Sequence, residues 1–177
     1  MKKINWKKII SWILVVLWLI IIFIFSSMSS EESNYKSKKT INKVIETTLD
    51  TTNEIGIMNK HPSPTKIQNL ILFLNYPFRK CMHASIYLIL AFLLLNALIK
   101  SNAKGIKLYL LTLFLCFFYA LTDEYHQTFV VGRTGQLLDV FIDTLGSGIG
   151  IILFWLFKKK LKFISLFDTI RQKLHKI

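Results

Sequence analysis

Four apolar runs separated by polar segments dominate the sequence. They cover residues 9–25, 82–99, 106–121 and 137–157. An α-helix rises about 1.5 Å per residue, so about 20 residues cross the ~30 Å hydrocarbon layer of a bilayer. The third run is the shortest and spans this layer only if the turn before it contributes or the helix tilts little. The pattern predicts an all-α fold, a polytopic membrane bundle of four transmembrane helices with short amphipathic interfacial helices.

The first run follows several lysines and has two interpretations, a membrane anchor or a secretory signal peptide. It is longer than the roughly 7–15 apolar residues of a typical signal peptide. The serines that follow it, within Phe25-Ser-Ser-Met-Ser-Ser30, form no A-x-A cleavage site. These features favour an anchor.

Two polar segments flank the later runs. Residues 29–78 are expected to form a long extracellular loop with two short segments of helical spacing, around 41–49 and 67–74. We interpret the second as an interfacial helix that Asn75-Tyr-Pro77 breaks. After the last run, apolar residues recur at helical spacing among lysines in 161–177, which predicts a basic amphipathic tail on the inner leaflet.

Composition and charge agree with a membrane protein. Apolar residues make up 53% of the 177, and the net charge is +13. The lysines flank the apolar runs instead of forming an aromatic-laced patch, which argues against nucleic acid as a partner. Basic residues near the ends of short loops mark the cytoplasmic side. Both termini are therefore predicted to be cytoplasmic, in a multi-pass protein of the cell membrane.

This topology brings the start of span two, the end of span three and the start of span four to one outer face, where the polar residues concentrate. Asp143 is the most informative, since an ionisable group inside a membrane helix is costly unless it is paired or faces a polar cavity. The candidate catalytic residues are Asp123, His126 and Asp143. The candidate substrate-binding residues are Arg79, His83, Glu124, Gln127, Arg133 and Asp139.

Several chemistries fit these residues. Arginines would bind an anion bidentately, and His126 with Asp123 would move a proton during hydrolysis or transfer. Alternatively, the charges form buried ion pairs that only fix helix packing, in a non-enzymatic membrane module. A third hypothesis, a proton-coupled transporter, is supported only by Asp143 within its span. Carboxylates with histidines could also hold a metal, but no H-E-x-x-H spacing occurs, so we expect no metal and no other cofactor. Whether the chain is an enzyme stays open.

Several motifs in order resemble the VanZ-like family of bacterial membrane proteins. They are Phe25-Ser-Ser27, Arg79-Lys-Cys-Met-His83 with Tyr87, Tyr119-Ala-Leu-Thr-Asp-Glu-Tyr-His-Gln127, Gly132-Arg133, and Asp139-Val-Phe-Ile-Asp143-Thr-Leu-Gly146 with Gly150. The resemblance runs from about residue 10 to 157 and implies a transmembrane domain over 1–160, with 161–177 as the separate tail.

The resemblance also implies a place in the cell envelope of a Gram-positive-like bacterium. The namesake of the family gives low-level resistance to teicoplanin, a lipid-bearing glycopeptide. The leading hypothesis is an outer pocket that binds or modifies an anionic lipid-linked or cell-wall molecule. The expected partners are therefore membrane lipids and a lipid-linked cell-wall molecule or lipoglycopeptide. The oligomeric state is not predicted.

Overall fold

The computed structural model describes residues 5–54 and 62–174, with side chains over 5–52 and 62–160. It contains five helices in these ranges: α1 (Trp6–Ser26), α2 (Ser30–Glu54), α3 (Pro64–Lys100), α4 (Ile106–Gln127) and α5 (Leu137–Leu174). The described residues contain no strand. Four helices, α1, α3, α4 and the first part of α5, are long and apolar enough to cross a membrane. The predicted all-α bundle with four spanning helices is confirmed, and the chain is a multi-pass membrane protein.

Helix α3 lies at the centre of the bundle and packs most extensively against α5. Small residues on α5 allow this approach: a Cβ added at Gly146 would lie 2.2 Å from the carbonyl oxygen of Ala84, and one at Gly150 would lie 2.7 Å from that of Leu88. Such close backbone contact is typical of membrane helices, where van der Waals packing drives association. A Cβ at Gly148 would meet nothing within 4 Å, so this glycine has no packing role.

Hydrogen bonds from aromatic side chains join α1 to the rest of the bundle. The indole of Trp18 donates to the carbonyl of Ile86 at 3.0 Å, and the hydroxyl of Tyr119 donates to the carbonyl of Leu19 at 2.7 Å. Backbone carbonyls inside a helix can accept a second bond, and in lipid no water competes for it. These bonds hold α1 beside α3 and α4.

The predicted break at Asn75-Tyr-Pro77 is wrong, because α3 is continuous through Pro77. Proline removes one helical hydrogen bond and usually disfavours a helix interior. Here α2 packs along this segment: Asn75 contacts Ser37 and donates to Asn34 at 3.1 Å. These tertiary contacts stabilise the helix where the local sequence does not. The predicted interfacial segment 67–74 is thus the first part of the helix that forms span two.

The polar segment predicted as a loop contains a long helix. Helix α2 has 25 residues and lies outside the four candidate spans. It packs on α3, with Ile41 buried between them, and does not approach α1 closely. With 37 residues at about 1.5 Å each, α3 is longer than the ~30 Å hydrocarbon layer, so its first part extends past the other helices beside α2.

Helix α5 continues beyond the last apolar run. Its backbone is helical through 158–160 and ends at Leu174. The predicted amphipathic tail begins within this helix, and its side chains lie outside the described ones.

Candidate functional site

The polar residues meet at one end of the bundle, where α1 and α4 end and α5 begins; we call it the cluster end. The connection from α4 to α5 folds over it. There Ser30, the first residue of α2, donates its backbone N–H to the carbonyl of Val131 at 3.3 Å. Gly132 has a φ of +73°, a backbone conformation that residues other than glycine rarely adopt, and it lies against Ser30. The connection is therefore held over the bundle by α2.

A polar cavity of about 160 Å³ opens at the cluster end. Five of the predicted site residues line it: Arg79, His83, Gln127, Arg133 and Asp139. Further lining comes from Ser30, Tyr76, Lys80, Gly132, Thr134 and Gln136. Three cationic side chains and one carboxylate thus line this cavity.

The single carboxylate of the polar cavity already has a partner. Asp139, in the first turn of α5, forms an ion pair with Lys80 of α3. The two side chains are only 13% and 18% exposed, so the attraction is little screened by water. This pair joins α3 to α5, so the carboxylate of Asp139 is not the ion-pair partner of either arginine in the cavity.

Arg79 and Arg133 form no ion pair within 4 Å in the described part of the chain. Arg79 donates from Nη1 to Oδ1 of Asn34 at 2.8 Å. The Nε of Arg133 is buried and has no hydrogen-bond partner among the described residues. Burial first, and then the positive charge of Arg79, lower the pKa of the Arg133 guanidinium. Arg133 stays protonated, since guanidinium does not lose its proton in proteins.

His83 and Asp143 form a pair behind the polar cavity. The Nδ1 of His83 lies 3.9 Å from Oδ1 of Asp143, whose side chain is 2% exposed. Among the described residues that Oδ1 atom has no hydrogen-bond partner. At 3.9 Å the two groups therefore lie close to each other without a hydrogen bond between them. The arrangement makes His83 the histidine that faces both the arginines and a buried carboxylate.

The other predicted residues make contacts around the end of α4. Asp123 is buried and accepts a hydrogen bond from Gln127 at 3.3 Å. Glu124 accepts the backbone N–H of Gln136 at 2.6 Å, which ties the end of α4 to the residue before α5. His126 faces α1, where its Nε2 lies 3.1 Å from Oγ of Ser27. The linings of the two cavities described here include neither Glu124 nor His126 nor Asp143.

A second, apolar cavity of about 480 Å³ meets the polar one at three shared residues, Arg79, His83 and Arg133. It lies between α1, α2 and α3. Its lining is mainly hydrophobic, and Asp123 lies at its polar end. The apolar part is formed by Trp18, Ile22, Phe25, Met28, Phe78, Met82, Ile86 and Ile89.

Sequence reasoning missed three contributors to the site. Lys80 is not among the predicted site residues, although a lysine at a predicted outer end departs from the usual charge bias and is a signal. Asn34 and Gln136 lie in polar segments, and nothing in the sequence indicates that they contact Arg79 and Glu124. No group of three or more histidine, cysteine or acidic side chains in the described residues could hold a metal.

The family model described as VanZ/LLP1 matches residues 11–158. The chain belongs to the VanZ/LLP1 family. The match runs from α1 into α5 and includes every predicted site residue of this VanZ/LLP1 protein. Comparison with curated proteins found no match, and neither did comparison with solved structures.

Proposed function

We propose that this VanZ/LLP1 protein binds the anionic headgroup of a lipid-linked or cell-wall molecule in the polar cavity. The observation that carries the proposal is the pair of arginines, Arg79 and Arg133, which line one cavity and form no ion pair within 4 Å in the described residues. Guanidinium groups match phosphate and carboxylate geometry through two parallel hydrogen bonds.

An anion would relieve an unfavourable arrangement. The two guanidinium groups repel each other across a partly buried site, and no described residue supplies a hydrogen-bond acceptor to the buried Nε of Arg133. A buried donor without a partner costs about 1–3 kcal/mol, and more for a charged group. A phosphate or carboxylate between the arginines would supply the missing acceptor and cancel the repulsion.

We also propose that the protein lies in the bacterial cell membrane with both termini cytoplasmic, so that the polar cavity opens outward. The lysines before α1, between α3 and α4, and at 158–160 support this orientation. An outward cavity would reach cell-envelope molecules. On this basis a contribution to glycopeptide resistance, teicoplanin resistance in particular, is part of the proposal.

The test is a comparison of Arg79→Gln, Arg133→Gln and the double variant with Lys107→Gln, which removes a charge at the opposite end of the bundle. Purified protein in nanodiscs is examined by native mass spectrometry for retained phosphatidylglycerol against phosphatidylcholine. We expect each arginine substitution to lower the preference for phosphatidylglycerol about tenfold, the equivalent of one charge-assisted hydrogen bond. Lys107→Gln should keep it.

The same variants are expressed in a teicoplanin-susceptible Gram-positive host. If the wild-type chain reduces susceptibility and the double arginine variant does so equally at equal membrane abundance, the headgroup site has no part in resistance. A preference for phosphatidylglycerol that survives the double substitution would refute the binding proposal itself.

A second candidate function is modification of the bound molecule, and the His83–Asp143 pair favours it. A histidine beside the arginines, with a carboxylate behind it, has the arrangement of a general acid–base group next to an anion site. His83→Gln should then preserve lipid retention and abolish a change in the envelope lipid profile caused by the wild-type chain. If His83→Gln changes the profile as much as the wild-type chain does, His83 is not the acid–base group, and binding remains the function.

A further inference from the structure

The apolar cavity continues from the polar cavity in the way that the hydrocarbon chain of a lipid continues from its headgroup. The two cavities meet at Arg79, His83 and Arg133, so the cations lie where they join. From there the apolar lining follows α3 from Phe78 to Ile89. At about 1.5 Å per residue this is roughly 16 Å, about half of the ~30 Å hydrocarbon layer. The cavity therefore covers the depth of one leaflet.

The cavity is also open toward the membrane. In the described part of the chain, helix α2 packs on α3 and does not approach α1 closely. Residues that line the apolar cavity are accessible: Phe25 is 49% exposed and Met82 is 47% exposed. A lipid chain could enter sideways without its headgroup crossing the hydrocarbon layer.

A buried polar atom beside this cavity has no partner among the described residues. Tyr87 is 1% exposed and lines the apolar cavity, and no described residue forms a hydrogen bond with its hydroxyl. Buried hydroxyl groups are nearly always hydrogen-bonded, and each exception calls for an explanation such as an absent ligand. An ester or ether oxygen near the headgroup of a lipid would be a suitable acceptor.

We infer that the two cavities form one site for an anionic membrane lipid, with its headgroup between Arg79 and Arg133 and one hydrocarbon chain in the apolar cavity. This inference rests on the proposed function and names its ligand class. A chain gains little by leaving the bilayer, because lipid tails are as apolar as the cavity wall. The arginines therefore select the lipid by charge, and the cavity provides room for its chain.

The test uses phosphatidylglycerol and phosphatidylcholine that carry a photoactivatable diazirine in one acyl chain, each in nanodiscs with the full-length protein. After irradiation, mass spectrometry of peptides locates the labelled residues. Ser85→Trp places a large side chain at the lining of the apolar cavity and leaves the arginines intact. Leu110→Trp, at a 59% exposed position of α4 outside the cavity lining, is the matched control.

In the wild-type protein and in Leu110→Trp, label from phosphatidylglycerol should concentrate on residues 18–25 and 78–89, about tenfold above label from phosphatidylcholine. Ser85→Trp and the double arginine variant should both lose this excess. Thermal unfolding of each variant verifies that it is folded, and Ser85→Phe replaces Ser85→Trp if the latter is not.

The outcomes separate the two proposals. If the double arginine variant loses the excess and Ser85→Trp keeps it, headgroup binding stands and the inference about the chain is wrong. If the double arginine variant keeps it, the proposed function fails and the inference fails with it. Label that is spread evenly over the exposed faces of α4 and α5 would also overturn the inference.

Discussion

The contact between α3 and α5 makes Gly146→Ala a sharp test of how the bundle is held together. An added Cβ would lie 2.2 Å from the carbonyl oxygen of Ala84, whereas ordinary contact begins near 3.4 Å. The helices would have to separate by roughly 1.2 Å, because backbone on both sides cannot rotate away. Overpacking costs about 1–3 kcal/mol and more in severe cases, so we expect about 3 kcal/mol.

For a chain of this size, 3 kcal/mol lowers Tm by about 6–12 °C. The assay is thermal unfolding of the full-length protein in detergent at one fixed scan rate. Gly150→Ala, with a contact of 2.7 Å to the carbonyl oxygen of Leu88, should be destabilised less. Gly148→Ala meets nothing within 4 Å and gains up to about 1 kcal/mol of helix propensity, so its Tm should stay the same or rise.

Tm should therefore be highest for Gly148→Ala, lower for Gly150→Ala and lowest for Gly146→Ala. A Tm for Gly146→Ala equal to that of Gly148→Ala would refute the close approach of α5 to Ala84. It would also remove the basis on which Asp143, one turn from Gly146, is positioned behind His83.

Two further predictions concern the cluster end. Lys80→Ala and Asp139→Ala should each lower the free energy of unfolding by about 3 kcal/mol, because each leaves a largely buried charge without its partner. The double variant should be more stable than either single one, and additive losses in this cycle would contradict the ion pair. Asn34→Ala removes the acceptor for Arg79 and Asn75, so hydrogen exchange in residues 30–54 should become about tenfold faster. Asn42→Ala, whose bond stays within α2, is its control, and equal exchange in both variants would argue against docking of α2 through Asn34.

The spanning helices were predictable from local sequence because lipid imposes a strict condition. Every backbone polar group within the hydrocarbon layer needs an internal partner, so a long apolar run has to be helical. Helix α2 and the passage of α3 through Pro77 were not predictable in this way. Their local signals, polar composition and a proline, argue against long helices, and contacts between α2 and α3 outweigh those signals.

The candidate site was predictable as a region, and its inward-facing members were not. Asp123, His126 and Gln127 lie within the last five residues of α4. Asp123 and Gln127 nevertheless face inward, whereas His126 faces α1. Successive helical residues point in directions about 100° apart, and the apolar part of α4 has no polar face to set its rotation. Packing against α1 and α5 decides which side chain enters the cavity.

By itself, the sequence determined that four helices cross the membrane and that most of the acidic residues outside α2 gather at one end. The first follows from the lengths of the apolar runs, and the second follows from which ends of those runs carry lysine. Only the tertiary structure decided which charges pair. Asp139 pairs with Lys80, so among the described residues Arg79 and Arg133 line the polar cavity without an ion pair within 4 Å. Ion pairing falls steeply with distance in space, and a sequence supplies the charges without those distances.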